Sequence, residues 1–313
     1  MEDLLEIKDL SIDAKIGNSY YNIVNNVSIK VKKGEIVSIV GESGSGKTIT
    51  SLSIIRLLEK NLSIKKGEII FEGKNLTKLS EDEIRKIRGK EISFVFQEPL
   101  TALNPVIDIE TQIAEVLIKH QISDEKKAIE KTIKILERVG IPTEKLKQYP
   151  HNFSGGQRQR ILIAMALIAN PKLIIADEPT TALDVITQIE ILNLLKEIKE
   201  EKRSIILITH NISVVANYSG YVYVMYLGEI MESGKTNEII NNPIHPYTKL
   251  LLNSIITLEK KERLKTIEGQ IPSIYEIPKG CRFITRCPYK TDKCTKEPPL
   301  MKQKERYFRC WNV

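Results

Sequence analysis

Three short segments carry residue types whose spacing could do chemistry. Gly41-Glu42-Ser43-Gly44-Ser45-Gly46-Lys47-Thr48 fits G-x-x-x-x-G-K-[ST]. Glycines at that spacing let successive backbone N–H groups curl around an anion. A helix N-terminus directly after them adds a partial positive charge. Lys47 would then reach β- and γ-phosphates, and the Thr48 hydroxyl would bind Mg²⁺. Leu173-Ile-Ile-Ala-Asp177-Glu178 is an apolar run ending in two carboxylates. Asp177 suits a water-mediated hold on Mg²⁺, and Glu178 could polarise an attacking water. In Ser154-Gly155-Gly156-Gln157, Ser154 is a good N-cap for the helix that follows. Taken singly, the last two segments read equally well as a strand end and a capped helix. The phosphate loop beside them gives them weight.

These residues need a scaffold. Val27, Ile29 and Val31 alternate with Ser28, Lys30 and Lys32, which predicts a half-buried strand. Glu35 to Val40 reads as a buried strand feeding the loop, and Thr48 to about Leu58 as the helix after it. Residues 68–72 and 91–96 predict short strands. Ile113, Leu117, Ile129, Ile133 and Leu136 recur at helical spacing between about 104 and 139. Further strands are expected at Leu173–Ala176 and Ser204–Thr209, with helices over roughly 156–169 and 186–201. Strands alternating with helices predict an α/β fold with a mainly parallel sheet. The helical stretch that interrupts the alternation predicts a subdomain.

Composition narrows the function classes. The chain has 313 residues, 42% hydrophobic and 28% charged, which fits a packed globular protein and excludes disorder as its main state. The longest apolar run, Ile161 to Ala169, has nine residues, whereas a membrane span needs about 20. No basic segment followed by an apolar one opens the chain, so no signal peptide is expected. The net charge of +7 lies in one place: residues 279–313 hold ten Lys/Arg against three acids, and the first 278 residues hold 37 of each sign. A neutral body argues against nucleic acid as a partner.

In their order and spacing, the phosphate loop, the Ser154 element and Asp177-Glu178 resemble the ATP-binding subunits of ABC transporters. The resemblance covers about residues 4–235 and implies a P-loop ATPase core with an antiparallel β subdomain and a helical subdomain at about 98–160. It gives further residues a role. Gln97 matches the glutamine loop and would ligate Mg²⁺ and orient water. Thr181-Ala-Leu-Asp184 matches the D-loop, and His210 the switch histidine that meets the γ-phosphate. Tyr20 or Tyr21 would stack on adenine. The nucleotide site thus comprises Tyr20 or Tyr21, Gly41 to Thr48, Gln97, Asp177, Glu178 and His210. Ser154 to Gln157, with Asp184, would complete the ATP site of a second ATPase subunit. Phe153 stands where Leu is usual, Thr181 where Ser is usual, and Asn211 where Asp is common; none removes a catalytic group.

Two segments, Glu98-Pro-Leu-Thr-Ala-Leu-Asn104-Pro105 and Asn242-Pro-Ile-His245-Pro-Tyr-Thr-Lys-Leu-Leu-Leu252, resemble the ATPases of dipeptide and oligopeptide importers, a group that includes nickel importers. The resemblance implies an ATP-hydrolysing subunit, peripheral on the cytoplasmic face of a prokaryotic membrane. Its partners would be a similar ATPase chain or a second copy, two membrane-spanning permease subunits and an extracellular solute-binding protein. Alternatives are a nickel or metal importer ATPase and a soluble ABC ATPase outside transport. Residues 236–313 form a Pro-rich extension with all four cysteines, Cys281, Cys287, Cys294 and Cys310. Clustered thiols in a chain without an export signal suggest a metal rather than disulfides. Four thiolates suit an iron–sulfur cluster or zinc. The resemblance favours a [4Fe–4S] cluster.

Overall fold

The structure is a computed structural model that describes residues 2–254 and 267–312. It divides into two compact units. The first comprises Met1–Lys32, Ile36–Lys78 and Ile208–Val313; the second comprises Lys33–Glu35 and Leu79–Leu207.

In the first unit, strands Ser19–Lys32, Asp3–Ile16, Leu62–Phe71 and Lys74–Asn75 lie side by side in that order, all antiparallel. The expected alternation holds: Val27, Ile29 and Val31 are fully buried, while Ser28, Lys30 and Lys32 face water. A second group of strands carries the phosphate loop. Ile36–Val40 has all five residues buried and runs parallel to Tyr221–Tyr226. The latter pairs antiparallel with Glu229–Lys235. The loop-bearing strand thus leads straight into helix Lys47–Ile54. That helix stops four residues before the expected Leu58, because Arg56 turns left-handed at φ 53°.

The loop-rich extension adds two strands. Strand Arg306–Arg309 pairs with Glu229–Lys235, placing Phe308 opposite Glu232, and Leu300–Gln303 pairs with it in turn. Phe283, Tyr247, Cys281 and Cys294 join Tyr226, Val224 and Met231 in one apolar core.

In the second unit, Ile92–Val95 runs parallel to the fully buried strand Leu173–Asp177. Strand Ser204–Thr209 follows on the other side, its first N–H donating to the Lys172 carbonyl at 3.0 Å. The expected helical stretch is two helices, Ile109–Lys119 and Glu125–Arg138, each capped by an aspartate, Asp108 and Asp124. Ala114, Leu117 and Ala128 close the seam between them. Helices Gly155–Leu167 and Val185–Glu200 match the expected intervals to within two residues. The architecture is the expected α/β one, with parallel pairs carrying both the loop and the acidic strand end. No helix among the described residues is long and apolar enough to cross a membrane.

Candidate functional site

The phosphate loop is shaped by close packing at its start and left-handed backbone at its middle. A Cβ on Gly41 would lie 2.0 Å from the Met225 carbonyl oxygen, so only glycine fits there. Gly44 and Gly46 sit at φ 77° and 96°, which L side chains rarely adopt. Ser45 and Lys47 are buried. The Lys47 ammonium donates to the carbonyls of Gly41 (2.8 Å) and Glu42 (2.9 Å) and to Ser45 Oγ (3.3 Å). Thr48 and Ser43 are exposed. A curled backbone, a buried ammonium at its centre and an exposed hydroxyl make a donor set suited to a Mg²⁺-bound phosphate chain.

Three further expected residues belong to this unit. Tyr20 is exposed. Tyr21 is half-buried and meets the ring of Tyr275 edge-on at 5.2 Å. His210 is exposed at the end of strand Ser204–Thr209, just before helix Ile212–Tyr218, which Asn211 caps.

The second unit brings Gln97 and Glu178 together. Gln97 Nε2 donates to Glu178 Oε2 at 3.2 Å, and the Thr181 hydroxyl donates to the same oxygen at 2.9 Å. Glu178 itself sits at φ 45°, a left-handed conformation that costs a non-glycine residue on the order of 1 kcal/mol. Asp177, the last residue of its strand, is buried.

Ser154 caps helix Gly155–Leu167 with a reciprocal capping box. Its hydroxyl accepts from the Gln157 N–H, and Gln157 Oε1 accepts from the Ser154 N–H. A Cβ on Gly156 would come within 2.6 Å of Thr187 Cγ2, so glycine is needed for packing as well. Asp184 caps the next helix through the Thr187 N–H (3.0 Å) and hydroxyl (2.7 Å). Those two donors, the backbone one first, hold its carboxyl below the usual range.

Sequence reasoning did not single out Arg286 or Tyr247, both of which grip Glu42 of the loop. Arg286 makes a two-pronged ion pair with the Glu42 carboxylate, and the Tyr247 hydroxyl accepts from the Glu42 N–H at 3.0 Å. No local pattern announces contacts that span more than 200 residues.

The expected [4Fe–4S] cluster, with zinc as its alternative, is corrected. Among the described residues, which include all four cysteines, no group of three or more His, Cys, Asp or Glu is arranged to hold a metal ion. The thiols are free and pack instead. Cys281 and Cys294 lie inside the apolar core, with Cys287 against it. The Asn312 N–H donates to the Cys310 sulfur. Burial pushes the Cys281 thiol up to about 12 and also raises Cys287 and Cys310.

Comparison with known proteins agrees with this geometry. Residues 24–181 match the family model "ABC transporter", and residues 231–294 match "Oligopeptide/dipeptide transporter, C-terminal region". The oligopeptide transport ATP-binding protein OppD of Bacillus subtilis (strain 168) is 47% identical, over 98% of this chain and 88% of that one. OppD of Escherichia coli (strain K12) is 42% identical, over 95% and 89%. The dipeptide transport ATP-binding protein DppD of Bacillus subtilis is 44% identical, over 99% and 95%. None of these names mentions a cluster. Among solved structures, a dimeric ATP-binding cassette in a post-hydrolysis state, bound to ADP and Pi, matches with a TM-score of 0.68. It is 30% identical, over 74% of this chain and 98% of that one.

Proposed function

The chain belongs to the ABC transporter family as an ABC-type ATPase, and on that premise we propose that it powers the import of oligopeptides or dipeptides. The observation that carries the peptide reading is the match of residues 231–294 to the C-terminal region of oligopeptide and dipeptide transporters. An ATPase core alone says nothing of the solute.

In this reading the loop Gly41–Thr48 cradles the phosphates of ATP, and Tyr20 or Tyr21 packs on the adenine. Bound Mg²⁺ supplies neutralising charge to the phosphate oxygens; Thr48, Asp177 and Gln97 are the residues that would hold it. Lys47 stabilises the negative charge of the transferred phosphoryl group. Glu178 accepts a hydrogen bond from the attacking water, and the Gln97 and Thr181 donors on its Oε2 help to fix the carboxylate. His210 senses the terminal phosphate. Ser154–Gln157 and Asp184 serve the nucleotide of a second ATPase subunit, giving two ATP molecules between two chains. Two membrane-spanning permease subunits and an extracellular solute-binding protein complete the complex, with this chain peripheral on its cytoplasmic face.

Glu178→Gln tests the mechanism. Binding of MgATP should persist while turnover falls about 100-fold or more, the usual scale for losing a catalytic base, and the ATP-bound variant should accumulate as a dimer with its partner ATPase. Normal turnover in this variant sinks the assignment. For the solute, the chain should restore uptake of a labelled tripeptide when expressed with its permease and binding protein; restoration of nickel uptake alone would overturn the peptide reading.

A further inference from the structure

Glu42 is the one acidic residue in the loop Gly41–Thr48. A carboxylate there opposes the binding of a polyphosphate, because like charges a few ångströms apart repel strongly where water is partly excluded. The extension supplies its counter-charge. Arg286 Nη1 lies 2.6 Å from Glu42 Oε2, and Nη2 lies 3.1 Å from Oε1. Planar bidentate pairing of this kind fixes orientation as well as charge.

Arg286 is itself held. Its side chain is only 4% exposed. Nε donates to the Glu268 carbonyl at 3.1 Å, and Nη2 donates to the Ile267 carbonyl at 3.2 Å. Nη1 reaches the Tyr226 hydroxyl at 3.5 Å. Tyr247, fully buried against the rings of Tyr226 and Phe283, takes the Glu42 N–H. Lys47 takes the Glu42 carbonyl. The carboxylate, amide and carbonyl of one loop residue are therefore each tied down, two of the three by the C-terminal extension.

We infer that Arg286 and Tyr247 are positioning residues through which the C-terminal extension neutralises and fixes the phosphate loop, so that nucleotide affinity depends on the extension. The inference rests on the reading that this loop binds the phosphates of ATP. It gives the extension a task at the nucleotide, beyond any role it has towards other subunits.

The test is a charge-swap cycle on the full chain, read by titration with a fluorescent ATP analogue in the presence of Mg²⁺. Arg286→Ala should weaken binding about 10-fold, since it exposes the nucleotide to an unpaired carboxylate. KM for ATP should rise with it, while kcat at saturating ATP changes less. Arg286→Lys, which keeps the charge and loses the fork, should fall between. Tyr247→Phe should weaken binding a few-fold by leaving the Glu42 N–H without its acceptor. The decisive variant is Glu42→Gln combined with Arg286→Ala. Removing the carboxylate should restore affinity to within about 3-fold of wild type, a coupling that two independent sites would not show. Wild-type affinity in Arg286→Ala overturns the inference. So does a double variant as weak as the single one, because a purely structural role of Arg286 has no reason to be relieved by Glu42→Gln. If the wild-type chain itself fails to bind the nucleotide, the loop reading is what has failed, and the inference goes with it.

Discussion

Burial, rather than ligation, sets the chemistry of the cysteine side chains. Cys281, Cys294 and Cys310 are buried and Cys287 is half-buried. The first cause of the raised Cys281, Cys287 and Cys310 thiols is desolvation of the thiolate, which their backbone N–H contacts offset only in part. Nucleophilic attack needs that thiolate. Iodoacetamide at pH 8 should therefore label Cys287 first and Cys281 slowest in the folded chain, and all four rapidly in denaturant. Mass spectrometry of timed samples reads this directly. Equal labelling rates for Cys281 in the folded and denatured chain would show that its burial is not what protects it. The spacing of the thiols in sequence was visible from the start. What surrounds each sulfur was not, because Phe283, Tyr226 and Tyr247 arrive from separate elements.

At the scale of elements, the segments that could be read from sequence are those whose cause is local. The phosphate loop, the buried strand before it and the capping box at Ser154 depend on residues within a few positions of one another, and all three stand where the sequence places them. Strand Arg306–Arg309 could not be read this way. It is a four-residue, aliphatic-free stretch, Arg306-Tyr307-Phe308-Arg309, with charge at both ends, and its partner Glu229–Lys235 lies some 70 residues earlier. What fixes it is a buried ion pair, Arg306 with Glu232, whose carboxylate also accepts the N–H groups of Ile244 and His245, each at 2.9 Å. Arg306→Ala strands a buried carboxylate and should destabilise the first unit by about 3–5 kcal/mol. Arg306→Met with Glu232→Gln removes both charges and keeps a carbonyl oxygen for one of the two N–H groups, so it should cost less. Trp311, the one tryptophan in the chain, packs against the same core. Its fluorescence during urea unfolding reports both variants, and equal losses in the two would show that charge burial is not the main term.

For the whole molecule, the same core gives stability a defined dependence on pH. His245 is 1% exposed. Its Nδ1 accepts the Tyr247 N–H at 3.0 Å, which requires the neutral ring with its proton on Nε2. Burial pulls its pKa from 6.5 to about 3, outweighing the opposing contact with the Arg309 backbone. Above pH 6.5 the ring is neutral in both folded and unfolded chains and contributes no slope. Below 6.5 the unfolded chain takes up a proton that the folded chain refuses until about pH 3, so stability falls across that window. By pH 4.5 the loss amounts to about 2–3 kcal/mol, from about 1.4 kcal/mol per pH step. His120, also lowered by burial, adds a smaller slope of the same sign because it is more exposed. The carboxylates held low, such as Glu6 by Lys30, lose their contribution only as pH drops through the ordinary carboxylate range, while buried Glu229, whose carboxyl burial pushes up, gives a slope of opposite sign; the histidine share is therefore read from a variant. His245→Asn keeps a side-chain acceptor for the Tyr247 N–H and cannot titrate. Urea midpoints followed by Trp311 fluorescence should fall steeply between pH 6.5 and 4.5 in the wild-type chain and much less in the variant; parallel curves would place the acid sensitivity elsewhere.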